Sequence, residues 1–512
     1  MPESPTGLLA GRAIIGLDVG TTGVKAVAFG LDTRSRAVAV REYPLMHPAP
    51  FQEVQDPAVI LGATTSALAE CVSRAREASV VGISLSAAMH GLMALDSDLH
   101  PITPLLTWAD GRAGAEALEF HRDGRAGDLQ SATGTPVHPM APLSKLLWFS
   151  KNDPETWTRA KWWLSLKDFV LLGLTGVLAT EVSSASGTGL VDINTKSWSQ
   201  LALRACGVRA ESLPDIVPTT FVLALAPEVA LDVGLTPGTP VVAGAADGPL
   251  SNLGTGAISP GVAALSLGTS GAVRTVCSEP RTDRSGTMFC YPLVEPLWVV
   301  GGAISNGAEA VRWAGRTLLP AAAGSSNFDE VILGLAASVP PGCDGVAMMP
   351  FLLPERSPLW NSDLFAAVVG LRHDHSAAHL IRSCLEGVCL QMKDLVDRLD
   401  SVYPLTSVRA TGGAFRSPLW RQVMAAAINR PFYVVGEAEG TALGAAILGL
   451  VALGEATSLD DASAILSGPD GPKKTYIEAS PTLSESLSDI HDRTRQMLSA
   501  LIFALGKDRV RP

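Results

Sequence analysis

The 512-residue chain has no long apolar run, no basic block and no C-x-x-C pair. Its longest apolar segment, Thr441 to Leu453, falls short of the roughly 20 residues a membrane-spanning helix needs, so no membrane partner is expected. Formal net charge is −11, which argues against nucleic acid as a partner. Seven scattered cysteines, an odd number, read as reduced thiols. The opening MPESPTGLLAGR has no basic region before its short apolar stretch, unlike a secretory signal, and the expected setting is cytoplasmic. No glycine loop runs into Gly-Lys-Ser/Thr, so a Walker-type phosphate site is absent. No G-x-S-x-G elbow occurs either, against an α/β-hydrolase. Aromatics make up 5% of a chain that is 47% apolar and rich in Ala, Gly, Val and Leu, a composition suited to α/β domains with substantial cores. The length fits two large domains or about three ordinary ones.

What is present begins at Ala13 to Phe29, AIIGLDVGTTGVKAVAF, which reads as strand, tight turn, strand. Gly20 and Gly23 give the turn its backbone freedom, and Thr21 and Thr22 add hydroxyls. Such a turn aims amide N–H groups at an anion, and Asp18 just before it suits a magnesium ion. The plain alternative is an ordinary hairpin with a solvated aspartate. The chain repeats the pattern. Ala264 to Arg274, ALSLGTSGAVR, lays over GLDVGTTGVKA without a gap, with Ser266 in place of Asp18. Two such turns half a chain apart suggest two related domains serving one nucleotide.

The paired turns resemble the actin, Hsp70 and sugar-kinase superfamily, and the rest of the chain resembles its FGGY carbohydrate kinases. Met140 to Asn152 fits that family's first signature, and Ala366 to Glu386 fits the second except at Cys384. The resemblance implies an α/β fold of two related actin-like (ribonuclease H-like) domains, with the active site in the cleft between them. It places a sugar-binding domain with the first phosphate turn at 1–256, and a domain with the second turn and the adenosine at 257–512. It implies ATP and Mg2+ as cofactors, a small sugar or sugar acid as partner, and leaves a homodimer open.

Several segments carry candidate chemistry. Asp56-Pro57 reads as a helix cap, with Ile60, Leu61, Thr64, Leu68, Cys71, Val72 and Ala75 at helical spacing behind it. Val80 to Leu85 then reads as a buried strand ending at Met89-His90-Gly91, where open α/β sheets gather active-site groups. Trp108, Asp110 and Arg112 offer a stacking face, an acid and a guanidinium to a polyol, or a surface turn with an ion pair. Lys145 and Trp148 read as packing and snorkelling residues. Thr180-Glu181 and the hydroxyls after it form a polar loop with no assigned role. Asp247 ends an apolar strand, where it serves either as a partly desolvated base or as a helix N-cap. Trp313 reads as core, and His373, His375 and His379 are spaced poorly for a metal, with Asp374 or Ser376 better read as a cap.

The resemblance assigns roles to some of these. It makes Asp247 the catalytic base and Asp18 the metal ligand. It puts Met89, His90, Trp108, Asp110 and Arg112 on the sugar. Thr21, Thr22, Gly268, Thr269, Ser270, Asn306, Gly412, Gly413 and Arg416 fall to the nucleotide. The stretches Ser86 to Asp96, Thr107 to Arg112 and Thr135 to Met140 look most like the family's gluconate kinases, so D-gluconate is the expected acceptor. Gly91 after His90 matches xylulose kinases instead, which keeps D-xylulose as the alternative. A non-catalytic actin-like ATP switch is a remoter reading.

Overall fold

The computed structural model describes residues 9–282, 286–361, 364–436 and 439–507. The start of the chain and the loose end expected after Gly506 lie largely outside them. The chain divides into two compact units: Met1–Ile258 with Val276–Val300 and Glu437–Lys473, and Ser259–Thr275 with Gly301–Gly436 and Lys474–Pro512. A single cut at 256 therefore does not follow the packing, because two later segments return to the first unit.

The first unit is built on six strands: β1 (Gly11–Val19), β2 (Gly23–Gly30), β3 (Arg36–Glu42), β4 (Ala78–Ala87), β5 (Val222–Ala224) and β6 (Pro240–Ala246). Their order is β5-β6-β4-β1-β2-β3. Strand β1 runs antiparallel to β2 and parallel to β4, β6 runs parallel to β4, and β5 closes antiparallel to β6. Alternation along β1 sends Ile15 and Leu17 to one core and Ile14 to another, so both faces are covered. The first face meets the Pro57–Arg74 helix, whose cap Asp56 accepts the Ala58 amide at 2.8 Å and whose Ile60, Leu68 and Cys71 are buried.

The second face meets the Gly440–Ala452 helix. This is the longest apolar segment of the sequence, and its small residues let backbones touch. A Cβ on Gly444 would stand 2.0 Å from the Leu250 carbonyl oxygen, and one on Gly16 would stand 2.0 Å from that of Ala442. The helix thus presses on β1, which carries Asp18 as its penultimate residue, and on the Asp247–Gly254 helix, which begins at Asp247.

The second sheet has seven strands: β7 (Val262–Leu267), β8 (Gly271–Cys277), β9 (Phe289–Val294), β10 (Leu297–Ile304), β11 (Ser407–Thr411), β12 (Phe432–Val435) and β13 (Lys474–Ile477). The order is β9-β10-β8-β7-β11-β12-β13. Strand β7 is antiparallel to β8 and parallel to β11, β12 is parallel to β11, and β13 is antiparallel to β12. Those are the relations of β1 to β2 and β4, of β6 to β4, and of β5 to β6. The repeat seen in two turns therefore extends to the sheets around them. The Ala377–Val402 helix is capped by Ser376, with His379 completing the capping box, which accounts for that histidine without a metal. Trp313, expected in the core, is 42% exposed.

Candidate active site

In the first turn the Gly20 amide donates to the Gly23 carbonyl at 2.9 Å, closing the bend between Val19 and Val24. Tyr43 donates its hydroxyl to the Gly20 carbonyl, and Gln55 donates to the Thr21 carbonyl at 2.6 Å. The Trp108 indole N–H reaches Thr21 Oγ1 at 3.0 Å, so the turn is tied to the polar cluster far along the chain. Thr22 is exposed at the tip. The second turn is braced differently: Gly268 donates to the Ser270 carbonyl at 2.9 Å, while Gly307 and Ala308 donate to the carbonyls of Thr269 and Gly268 at 3.0 and 2.8 Å. Its ladder closes at Leu267↔Gly271 where the first closes at Val19↔Val24. The second turn is thus one residue tighter, a difference the gapless sequence overlay conceals.

Asp18 stands at the end of β1 beside Ser86 of β4, which donates to its Oδ1 at 2.9 Å. Burial, and then the neighbouring Asp247 carboxylate, push Asp18 up from 3.8 to about 6. Asp247 is the first residue of its helix, with Ala246 at the cap position, so the N-cap reading fails. Its Oδ1 accepts the Gly248 amide at 2.8 Å. Two oxygen donors whose negative charges disfavour each other suit a hard dication, which would relieve that repulsion.

The polar cluster at His90 and Trp108–Arg112 is assembled around a lysine. His90 has φ of +65°, and its Nδ1 lies 2.6 Å from the Gly187 carbonyl. Met89 packs on Gly187, where an added Cβ would meet its Cε at 2.5 Å. Asp110 is buried and bidentate to Arg112, with Nε and Nη2 each at 2.8 Å, and it also accepts the Glu53 amide at 3.0 Å. The Arg112 guanidinium lies over the Trp148 ring at 5.1 Å. The ion pair expected as a possible surface turn is therefore interior, with the Asp110 carboxylate held by Arg112 and by the Glu53 amide. Lys145 does not snorkel. It is fully buried, and its ammonium donates to the His90 carbonyl at 2.7 Å and the Thr107 carbonyl at 2.6 Å. Burial pushes it down from 10.5 to about 7, with Asp110 opposing the shift. Sequence reasoning missed this clamp because both acceptors are backbone.

In the second unit, Gly268, Thr269, Gly413 and Arg416 line a cavity of about 850 Å³ together with Arg312, Asp329, Leu333 and Trp420. Gly412 turns the chain there at φ +114°, where a Cβ would stand 2.2 Å from the Leu267 carbonyl oxygen. Asn306 does not line this cavity. Its amide donates to the Leu353 carbonyl and to Glu355, and its oxygen accepts the Leu352 and Leu353 amides, all within 3.1 Å. It pins that segment.

Family models agree with this architecture. Residues 13–254 match the N-terminal domain of the FGGY family of carbohydrate kinases, and residues 263–453 match its C-terminal domain. The chain belongs to the FGGY family. Among FGGY relatives, it is 37% identical to the gluconokinase of Bacillus subtilis, over 88% of this chain and 89% of that one. It is 28% identical to the xylulose kinase of the same organism, over 96% and 99%. A crystal structure of gluconate kinase from Lactobacillus acidophilus superposes with a TM-score of 0.89 at 30% identity, covering 97% of this chain and 99% of that one. The fold is accordingly the two-domain, actin-like α/β fold of sugar kinases, and the family implies ATP as phosphate donor. No helix among the described residues is long and apolar enough to cross a membrane.

Proposed function

We propose that this FGGY kinase transfers the γ-phosphate of ATP to a primary hydroxyl of D-gluconate, giving 6-phosphogluconate. The observation that carries the choice of a sugar acid is Arg112. Its Nε and Nη2 are committed to Asp110 and its face to Trp148, while Nη1 has no partner among the described residues. A pre-aligned guanidinium with donors to spare suits a carboxylate. The likeness to gluconokinases supports the same choice. The feature favouring D-xylulose, Gly91, has a packing reason: a Cβ there would meet Leu105 at 3.0 Å and Leu166 at 3.5 Å, in the core.

Asp247 accepts the proton as the acceptor hydroxyl attacks, and Met89, His90, Trp108 and Arg112 orient the sugar, with Asp110 holding Arg112. Residues 1–256 provide the acceptor chemistry and the first phosphate turn. The later residues provide the second turn and the adenosine site around Gly412, Gly413 and Arg416. Thr21, Thr22, Gly268, Thr269 and Ser270 contact phosphates, and Asn306 acts through the Leu352–Glu355 segment. Mg2+, held by Asp18 directly or through water, supplies charge neutralisation for the phosphates when bound. Catalysis of this kind is mostly positioning and charge stabilisation. A cytoplasmic enzyme, alone or as a homodimer, fits this reading.

The test is ADP release across a panel including D-gluconate and D-xylulose, with Asp247→Ala as control. Turnover on gluconate that the substitution abolishes, with ATP binding retained by calorimetry, is the expected result. Turnover on xylulose alone would overturn the acceptor, and full activity in Asp247→Ala would overturn the base. ATP binding without turnover on any sugar would leave the switch reading standing.

A further inference from the structure

The Leu166–Thr175 helix buries a lysine that the proposed chemistry leaves unused. Lys167 is fully buried, and its ammonium donates to the Ala245 carbonyl at 2.7 Å and to Glu181 Oε1 at 3.1 Å. Glu181 is itself fixed by the amides of Ser183 and Ser184 at 2.6 and 2.9 Å. Ser183 Oγ then accepts the Ala246 amide at 3.3 Å. The Ala245 carbonyl and the Ala246 N–H are the two ends of one peptide unit. That unit is held from both ends, by Lys167 and by Ser183, and both holders are anchored on Glu181. The next residue is Asp247.

The strand needs such a brace at this point. Pairing of β6 with β4 shifts register between Val242 and Ala245, and Gly244 sits there at φ +71°, where a Cβ would lie 1.8 Å from the Leu85 carbonyl oxygen. A bulge interrupts the ladder just before the peptide that aims Asp247. Burying a lysine–glutamate pair is costly, and here the pair reaches the peptide at which the ladder resumes after the bulge, with Ala245 opposite Ser86 and Ala246 opposite Ala87. The ammonium also acts through space on both Asp18 and Asp247.

We propose that Lys167, through Glu181 and Ser183, is a positioning residue that fixes the 245–246 peptide plane and so the direction in which Asp247 presents its carboxylate. The inference rests on Asp247 being the base. It is tested in the full chain by Lys167→Met, by Lys167→Met/Glu181→Gln, which leaves no lone buried carboxylate, and by Ser183→Ala, which disturbs no charge. The readout is the single-turnover rate with enzyme in excess of ATP, which does not depend on the active fraction at saturation, beside steady-state KM values. Misaiming a catalytic group by about 1 Å costs about 10²-fold in rate, and that loss is expected in whichever lysine variant folds, with a smaller loss in Ser183→Ala. The KM values for acceptor and ATP should stay within about two-fold, because ground-state binding is untouched. Wild-type single-turnover rates in the folded variants, or a loss confined to KM, would overturn the proposal. Asp247→Asn run alongside separates the two claims. Full activity there overturns the base itself, whereas an inactive Asp247→Asn with wild-type rates in the Lys167 and Ser183 variants overturns only the positioning.

Discussion

Lys145→Met replaces a buried ammonium by an apolar chain of similar length, and two opposed costs decide its effect. The substitution leaves the carbonyls of His90 and Thr107 without their donor. Each orphaned buried acceptor costs about 1–3 kcal/mol, so about 2–6 kcal/mol in all. Against this, the wild type holds an ammonium whose pKa has fallen from 10.5 to about 7, which at neutral pH costs on the order of 4–5 kcal/mol. The two nearly offset, so stability at pH 7 should change by no more than about 3 kcal/mol in either direction. The pH dependence discriminates better. Between about 7 and 10.5 the unfolded chain keeps the Lys145 proton and the folded chain sheds it, so wild-type stability gains from this group as pH rises through that window. The variant lacks that gain. It should compare well with wild type at pH 6 and poorly at pH 9. Function should suffer at either pH, because Lys145 ties the left-handed His90 backbone to the segment carrying Trp108 and Arg112, and acceptor KM should rise about ten-fold, or ~1.4 kcal/mol. Urea unfolding at pH 6, 7 and 9 and steady-state kinetics provide the readouts. Parallel stability curves for the two proteins, or an unchanged acceptor KM, would refute the reasoning.

Other substitutions probe different parts of the site. Arg112→Lys keeps the charge but loses the fork held by Asp110, so acceptor KM should rise by about ten-fold with ATP KM unchanged; equal effects on both substrates would count against a carboxylate clamp. Asp18 binds its proton more tightly when folded, up from 3.8 to about 6, so in chelator it costs stability as pH rises through that window, by about 3 kcal/mol. Asp18→Asn should therefore be more stable than wild type at pH 7 in a denaturant titration, and a less stable variant would contradict the electrostatics. Gly444→Ala would drive a Cβ to 2.0 Å from the Leu250 carbonyl oxygen, and overpacking of this kind costs about 1–3 kcal/mol; an unchanged melting temperature would mean the backbones are not in contact.

What the sequence disclosed was local, and what it withheld was held by distant partners. The phosphate turns were legible because glycines and hydroxyls between apolar strands specify a bend without outside help. The helix at Pro57 was legible from its cap, and the repeat from the turns alone, although the sheets repeat as well. Lys167 was not legible, since its partners lie 14 and 78 residues further on; the hint was a lysine in the first turn of a largely apolar helix. Lys145 was read as snorkelling because sequence records no backbone carbonyls. The hold of Asn306 on the Leu352–Glu355 segment was not legible either, because those partners are 46 to 49 residues away. The turn overlay counted residues, whereas ladder register decides how tight each turn is.

The return of Glu437–Lys473 to the first unit imposes an order on the protein's manufacture. When a ribosome has finished Ile258, the strands that carry Asp18 and lead to Asp247 exist, but the helix that covers their second face does not. At about 5–20 residues per second, the stretch from Ile258 to Gly440 takes roughly 10–40 s more to make. Through that interval the nascent first unit carries an open apolar face, with glycines at 16 and 254 waiting for a helix still to be translated. Chaperone occupancy during synthesis should therefore peak over that window, and a gene split near codon 256 should yield a first half that stays insoluble until the second half is supplied.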